Sequence, residues 1–141
     1  MASKDPLPLV FTAQSKRFFY CRDAVCEYVF SHNAIPINPF RVFEYFLNDR
    51  VERDQIRQAN FNLIRVIDEL WSFGDIANGV FAEMQYAKEL GKPIRFFTID
   101  TYSDRIRPAS PDELCIEPEL EERRSREELL KLAASEHLAI R

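Results

Sequence analysis

An α/β domain built on a parallel sheet, flanked by helices and followed by a charged C-terminal helix, is the fold class that the 141-residue sequence predicts. Three observations predict it. Short apolar runs alternate with segments whose apolar residues recur every three or four positions, as when strands alternate with amphipathic helices. All three glycines, Gly74, Gly79 and Gly91, fall behind the third apolar run, where a strand gives way to a loop and a helix. A hydrophobic content of 46% with 12 phenylalanines suffices for one packed core and excludes collagen-like, linker-like and low-complexity chains.

Residues 7–13 read as the first strand, running into the polar Gln14-Ser15-Lys16-Arg17. Phe18, Cys21, Val25, Tyr28 and Val29 then share one helical face, which His32-Asn33 ends. Ile35 to Asn38 is a short second strand, because Pro39 pushes its predecessor out of the helical region. An aromatic segment over 40–46 and a longer stretch over 51–66 follow as helices. Arg50, Arg53, Arg57 and Arg65 there invite a phosphate-binding reading, but their interleaving with Glu52 and Asp54 is the pattern of an exposed, ion-paired face. Ile67 to Trp71 is the third strand, and Ser72-Phe73-Gly74-Asp75 the loop that ends it. A helix from about Asn78 carries Val80, Met84 and Ala87 inward and closes at Leu90-Gly91 with a glycine cap; Asp75 and Asn78 are its candidate N-caps. Pro93 leads into the fourth strand, Ile94 to Ile99.

The organisation is thus an α/β domain over 1–100 and a C-terminal segment over 101–141. In the latter, Pro108, Pro111 and Pro118 punctuate a loop, and Glu119 to Leu138 forms a charge-rich helix. The leucines of that helix suit packing on its own domain or on a partner subunit equally well. Glu117 to Arg126 reads as a solvated charge run.

Charge and composition narrow the function. A net charge of -4 and a pI near 5.3 oppose the basic stripe that duplex nucleic acid requires, while a few arginines still suffice for a small anion. Cys21, Cys26 and Cys115 show no CxxC spacing and only His32 and His137 accompany them, so no metal site and no cofactor are expected. No apolar run approaches the ~20 residues of a membrane span, and free thiols without a secretory leader point to a cytoplasmic protein.

In an open parallel sheet, ligands bind beyond the carboxyl ends of the strands, which directs attention to the residues after Thr12, Asn38, Trp71 and Ile99. On a helix beginning near Asn78, Glu83 falls one turn beyond Gly79 and one turn before Ala87, at the margin of the buried face. Burial there raises a carboxyl's pKa, and a cation beside it lowers it. Trp71 and Phe73 either line a pocket or close the core.

These residues carry a resemblance. Asp68-Glu69-Leu70-Trp71-x-Phe73-Gly74, then Asn78-Gly79-Val80-x-x-Glu83-x-x-x-Ala87 and Gly91-Lys92-Pro93-Ile94, resemble the nucleoside 2-deoxyribosyltransferase superfamily and its relatives that hydrolyse nucleoside monophosphates. The similarity spans roughly residues 8–99. It implies a Rossmann-like sheet and a catalytic glutamate in the Gly-x-x-x-Glu-x-x-x-Ala pattern, matched by Gly79, Glu83 and Ala87. Asp68 is the nearest match to the family's acid at the preceding strand. The family's loop acid stands two residues before the glycine, where this chain has Ala77, and Asp75 is the nearest acid. Phe11 and Arg17, six residues apart, are similar to the aromatic and arginine that contact sugar or base in the nucleotide-hydrolysing relatives.

The implied chemistry is retaining displacement at the anomeric carbon. Glu83 attacks C1′ and expels the base, Asp68 or Asp75 protonates or orients the departing base, and water or a second base completes the cycle. Phe11 stacks on the base and Arg17 or Arg22 holds a 5′-phosphate, with Phe73, Gly74, Asn78 and Gly79 completing the substrate site. The partner is a small nucleoside or nucleotide, and a homo-oligomer is expected by resemblance. The competing expectation is a non-catalytic nucleotide-binding or sensing module on the same fold, with the helix N-terminus as phosphate cradle. A structural or assembly role has only the charged terminal helix behind it.

Overall fold

The computed structural model describes residues 2–43, 50–100, 105–118 and 126–132. Strand β1 (Leu9–Gln14) leads through a 3-10 turn (Lys16–Cys21) into α1 (Arg22–Ser31), and β2 (Ile35–Ile37) follows. A short helix α2 (Pro39–Val42) and the long α3 (Arg53–Val66) precede β3 (Glu69–Phe73). Helix α4 (Asn78–Glu89) connects to β4 (Ile94–Asp100), and β5 (Arg105–Pro108) ends the sheet. The strand order is β2-β1-β3-β4-β5. The first four strands are parallel to their neighbours, and β5 runs antiparallel to β4.

Strand alternation divides the core into two halves. On one face Val10, Trp71, Phe73, Phe97 and Ile99 meet Val25 and Val29 of α1. Phe73 and Phe97 stack at 4.8 Å and Trp71 lies 5.0 Å from Phe97, aromatic pairs worth about 0.5–1.5 kcal/mol each beyond their buried area. On the other face Phe11, Ala13, Leu70, Ile94 and Phe96 meet Ile64 of α3 and Val80, Phe81, Met84 and Ala87 of α4. Leu129 and Leu132 join this second half, so residues 126–132, which are helical, pack on their own chain.

Helix ends follow the residues available to them. After α1, Asn33 takes φ +58°, the Asn33 N–H donates to Phe30 and the Ala34 N–H to Val29. After α4, Gly91 takes φ +72°, its N–H donates to Lys88 and the Lys92 N–H to Ala87. Both are Schellman closures, with a left-handed residue that glycine or asparagine tolerates best. The N-terminus of α4 departs from expectation. Ala77 occupies the cap position without a side-chain hydrogen bond, and neither Asp75 nor Asn78 caps.

Two further departures have simple causes. The third strand begins at Glu69 rather than Ile67, because Ile67 closes α3 with its N–H on Leu63 (3.2 Å) and buries its side chain in the core. Strand β5 lies in the stretch read as loop; its sequence RIRP has only Ile106 turned inward, as befits a charged edge strand without apolar alternation. The aromatic helix is present as Pro39–Val42, and its predicted continuation over 44–46 lies outside the described residues. Of the predicted terminal helix, only 126–132 is described.

Candidate active site

Strands β1, β2 and β3 are parallel, so Gln14, Asn38 and Gly74 emerge at the same end of the sheet. Helix α1 covers one face and α3 and α4 the other, so the connections diverge between β1 and β3, the topological switch point at which such sheets bind ligands. A cleft of about 350 Å³ opens there. Its walls are Ser15 and Lys16 after β1, Phe40 of α2, Arg53 and Arg57 of α3, and the first turn of α4 with Glu83 behind it. A hollow of about 490 Å³ continues outward between α3 and α4, sharing Asn60, Asn78, Gly79 and Glu83.

The rim between β1 and β2 is held by a buried amide pair. Asn38 Nδ2 donates to Gln14 Oε1 (2.8 Å), Gln14 Nε2 donates to the Phe18 carbonyl (2.7 Å), and Asn38 Oδ1 caps α2 through the Phe40 N–H (2.9 Å). Satisfied on these sides, two buried amides fix the chain's exit from both strands.

Glu83 lies on α4 beside the buried Val80, Met84 and Ala87, with its side chain half-buried in the cleft wall. Among the described residues its carboxyl has no hydrogen-bond or ion-pair partner, and burial alone pushes its pKa from 4.5 up to about 8. At neutral pH burial therefore favours the protonated carboxyl. One turn earlier, Gly79 has nothing within 4 Å of where a Cβ would stand. The fold does not require glycine here, which in a helix costs about 1 kcal/mol against alanine, and the vacated space belongs to the cleft. The uncapped first turn of α4 presents its backbone N–H groups beside it.

The other predicted residues separate by location. Asn78 and Gly79 line the cleft with Glu83. Asp75 follows Gly74 at the exit of β3; burial raises its carboxyl's pKa, and the charge of Arg17 opposes that rise. Arg17 is exposed, and its Nε stands 3.6 Å from Glu117, itself a cleft residue. Arg22 lies over the Phe19 ring at 4.0 Å and donates to the Phe19 carbonyl, and Phe19 in turn meets Phe40 edge-on at 5.2 Å. Arg22 is thus two rings removed from the cleft.

Phe11 and Phe73 are fully buried in opposite halves of the core, and neither ring faces the cleft. Gly74, at φ +79°, is buried; a Cβ there would stand 3.3 Å from the Phe18 ring, so backbone conformation and packing both select glycine. Asp68 lies at the other end of the sheet, where its Oδ2 accepts the Leu9 N–H (2.7 Å) and its own N–H donates to Leu9 (2.8 Å). The structure does not bring it to Glu83: a parallel strand separates its two ends by its full length.

The cleft also contains residues that the sequence pattern assigned to solvated stretches, Arg53 and Arg57 among them. Arg53 and Lys16 have no ion-pair partner among the described residues, and Arg57 has only the exposed Asp54 at 3.2 Å, a pair worth little in water. Glu117, read from sequence as part of a solvated run, is 6% exposed. The bridge between Ile76 and Ile116 draws it in, with the Glu117 N–H on the Ile76 carbonyl at 2.8 Å. Arg126, from the same run, donates to the carbonyls of Pro111 and Leu114 at 2.7 and 2.9 Å. Ile76 and Ile116 were the available apolar signal, but only the tertiary fold pairs them. Among the described residues no group of three or more His, Cys, Asp or Glu could hold a metal, and no helix is long and apolar enough to cross a membrane.

The fold is similar to that of a nucleoside 2-deoxyribosyltransferase. A 2-deoxyribosyltransferase from Leishmania mexicana superposes with a TM-score of 0.50 at 19% identity, over 66% of this chain and 65% of that one. This chain thus spans just under two thirds of that protein's length. The CMP N-glycosidase BcmB of Clostridium botulinum aligns over 89% of this chain and 98% of its own, at 15% identity and a TM-score of 0.48. Residues 11–97 match a family described as a domain of unknown function, DUF7768, and the chain belongs to that family. No curated protein matches it by sequence.

Proposed function

We propose that the chain cleaves or transfers at the N-glycosidic bond of a nucleoside or nucleoside 5′-monophosphate by a retaining mechanism with Glu83 as nucleophile. The observation that carries this is a carboxyl with no partner among the described residues, in the wall of a cleft at the sheet's switch point, one turn beyond a glycine that leaves it room. In the first step a Glu83 carboxylate oxygen bonds to C1′ as the C1′–N bond breaks, and the base departs with a proton. Asp75, at the exit of β3, where burial raises its carboxyl's pKa and the charge of Arg17 opposes that rise, is assigned the supply of that proton. Water or a second base, its proton passing to the now ionised Asp75, then attacks C1′ from the opposite side, breaking the ester bond and freeing Glu83. Lys16, Arg53 and Arg57 line the cleft and are assigned to a 5′-phosphate, with Arg17 and Arg22 the assignment that the resemblance implies. A homo-oligomer belongs to the same proposal.

Two observations favour the non-catalytic alternative. A Glu83 carboxyl held near 8 is mostly protonated at pH 7 and then cannot attack, and Asp68, one of the acids assigned by resemblance, lies at the far end of the sheet. Incubation with a panel of nucleosides and 5′-monophosphates, with and without a free base, separates the two. Base released by the wild type and not by Glu83→Gln supports catalysis. Thermal stabilisation by one ligand with no base released in either protein supports the binding module.

A further inference from the structure

Two acceptor oxygens of the cleft residues are buried with no hydrogen-bond partner among the described residues: Oε2 of Glu117 and Oδ1 of Asn60. Glu117 is the more telling. Its side chain is over nine-tenths buried, Oε1 faces Arg17 at 3.6 Å, and its backbone is tied to Ile76 on the loop that leads into α4. A buried carboxylate oxygen left without a donor is unfavourable, and folded proteins retain such a group chiefly where a ligand, ion or water completes it. Asn60 lines the same cleft from α3. The cleft is therefore lined by cations at Lys16, Arg53 and Arg57 and by unfilled acceptors at Glu117 and Asn60.

We infer that Glu117 is a specificity-determining residue that accepts a hydrogen bond from an N–H or O–H group of the ligand, with Asn60 as a second acceptor for the same molecule. This rests on the N-glycosidic reading above and deepens it. The preferred substrate presents donors where a close analogue presents none: a ribose 2′-hydroxyl against a 2′-deoxyribose, or an amino-substituted base against its oxo counterpart. A site built to accept a hydrogen bond rejects the ligand that lacks the donor, because the acceptor is then left desolvated and unpaired. Arg17 holds one oxygen of the carboxylate and leaves the other for the ligand.

The test measures dissociation constants by calorimetry in the Glu83→Gln protein, where turnover is stopped. Matched pairs are used: cytidine with 2′-deoxycytidine and with uridine, adenosine with 2′-deoxyadenosine and with inosine, each also as the 5′-monophosphate. The donor-bearing member of one pair type should bind roughly 10- to 100-fold more tightly. Which type does so identifies the donor as sugar hydroxyl or base amine. Adding Glu117→Ala should abolish that ratio and Glu117→Gln, nearly isosteric, should reduce it. Arg17→Ala, which removes the partner of Oε1 and the charge that acts on Asp75 but leaves Oε2 in place, should preserve the ratio in this turnover-free comparison. If Arg17→Ala and Glu117→Gln weaken all members alike, Glu117 is a structural tether and the inference fails. It fails equally if ligands bind without any pairwise preference, while the N-glycosidic reading survives. If no member binds, both fall together.

Discussion

Replacing Glu83 by Gln should stabilise the protein, and by an amount that depends on pH. The wild-type carboxyl sits at about 8 against 4.5 for an ordinary glutamate, with burial as the sole cause. Below pH 4.5 both folded and unfolded chains carry the proton, so wild type and variant should differ little. Between 4.5 and 8 the unfolded chain has released a proton that the folded chain still binds, so wild-type stability falls as pH rises. Above 8 both states are ionised and the difference levels off. At 1.36 kcal/mol per tenfold change in acidity, the ceiling is roughly 4–5 kcal/mol. Because Glu83 is half-buried and hydrated through the cleft mouth, a plateau of about 2–3 kcal/mol is expected. Urea unfolding of both proteins at intervals from pH 5 to pH 9 measures it. Curves that stay parallel across this range, or a variant less stable than wild type at pH 9, would refute the placement of an unpaired carboxyl in the cleft.

The same carboxyl predicts that kcat/KM for base release rises with pH and levels near 8, since only ionised Glu83 attacks; a pH-rate profile that instead falls through 8 would make it a proton donor. Arg53→Ala and Arg57→Ala should each weaken 5′-monophosphate binding by roughly 10-fold and nucleoside binding hardly at all, and equal effects on both ligands would remove the phosphate from this wall. Asp68→Ala should lower stability by about 1 kcal/mol through loss of its bond to the Leu9 N–H, with kcat unchanged; a selective fall in kcat would return Asp68 to the chemistry.

The α/β fold was readable because its strands and helices are locally encoded. Val25 and Val29, then Val80, Met84 and Ala87, show helical spacing and are buried where that spacing puts them. Gly91 announced its cap for the same local reason. Among the candidate site residues, Glu83, Asn78 and Gly79 lie together because one helix carries all three. Asp68 could not be placed from sequence, since the decisive fact is which end of a parallel strand it occupies. Phe11 and Phe73 are apolar residues in buried strands, and pattern alone does not separate a ring in the core from one in a pocket. Glu117 and Arg53 reach the cleft through tertiary geometry, a bridge between Ile76 and Ile116 and the packing of α3 beside α4. Both stand in charged stretches that look solvated when read along the chain.

The role of Glu83 can be read from the protein's own mass. A nucleoside whose sugar carries a 2-fluoro substituent slows release of the sugar from the enzyme; mixing it with the protein, quenching in acid and weighing the intact chain captures what forms at C1′. A gain equal to the glycosyl group, mapped to the peptide containing Glu83 and absent from Glu83→Gln, is the expected result. An unmodified chain in a sample that has released base, or a glycosyl group on any other residue, would contradict Glu83 as the nucleophile.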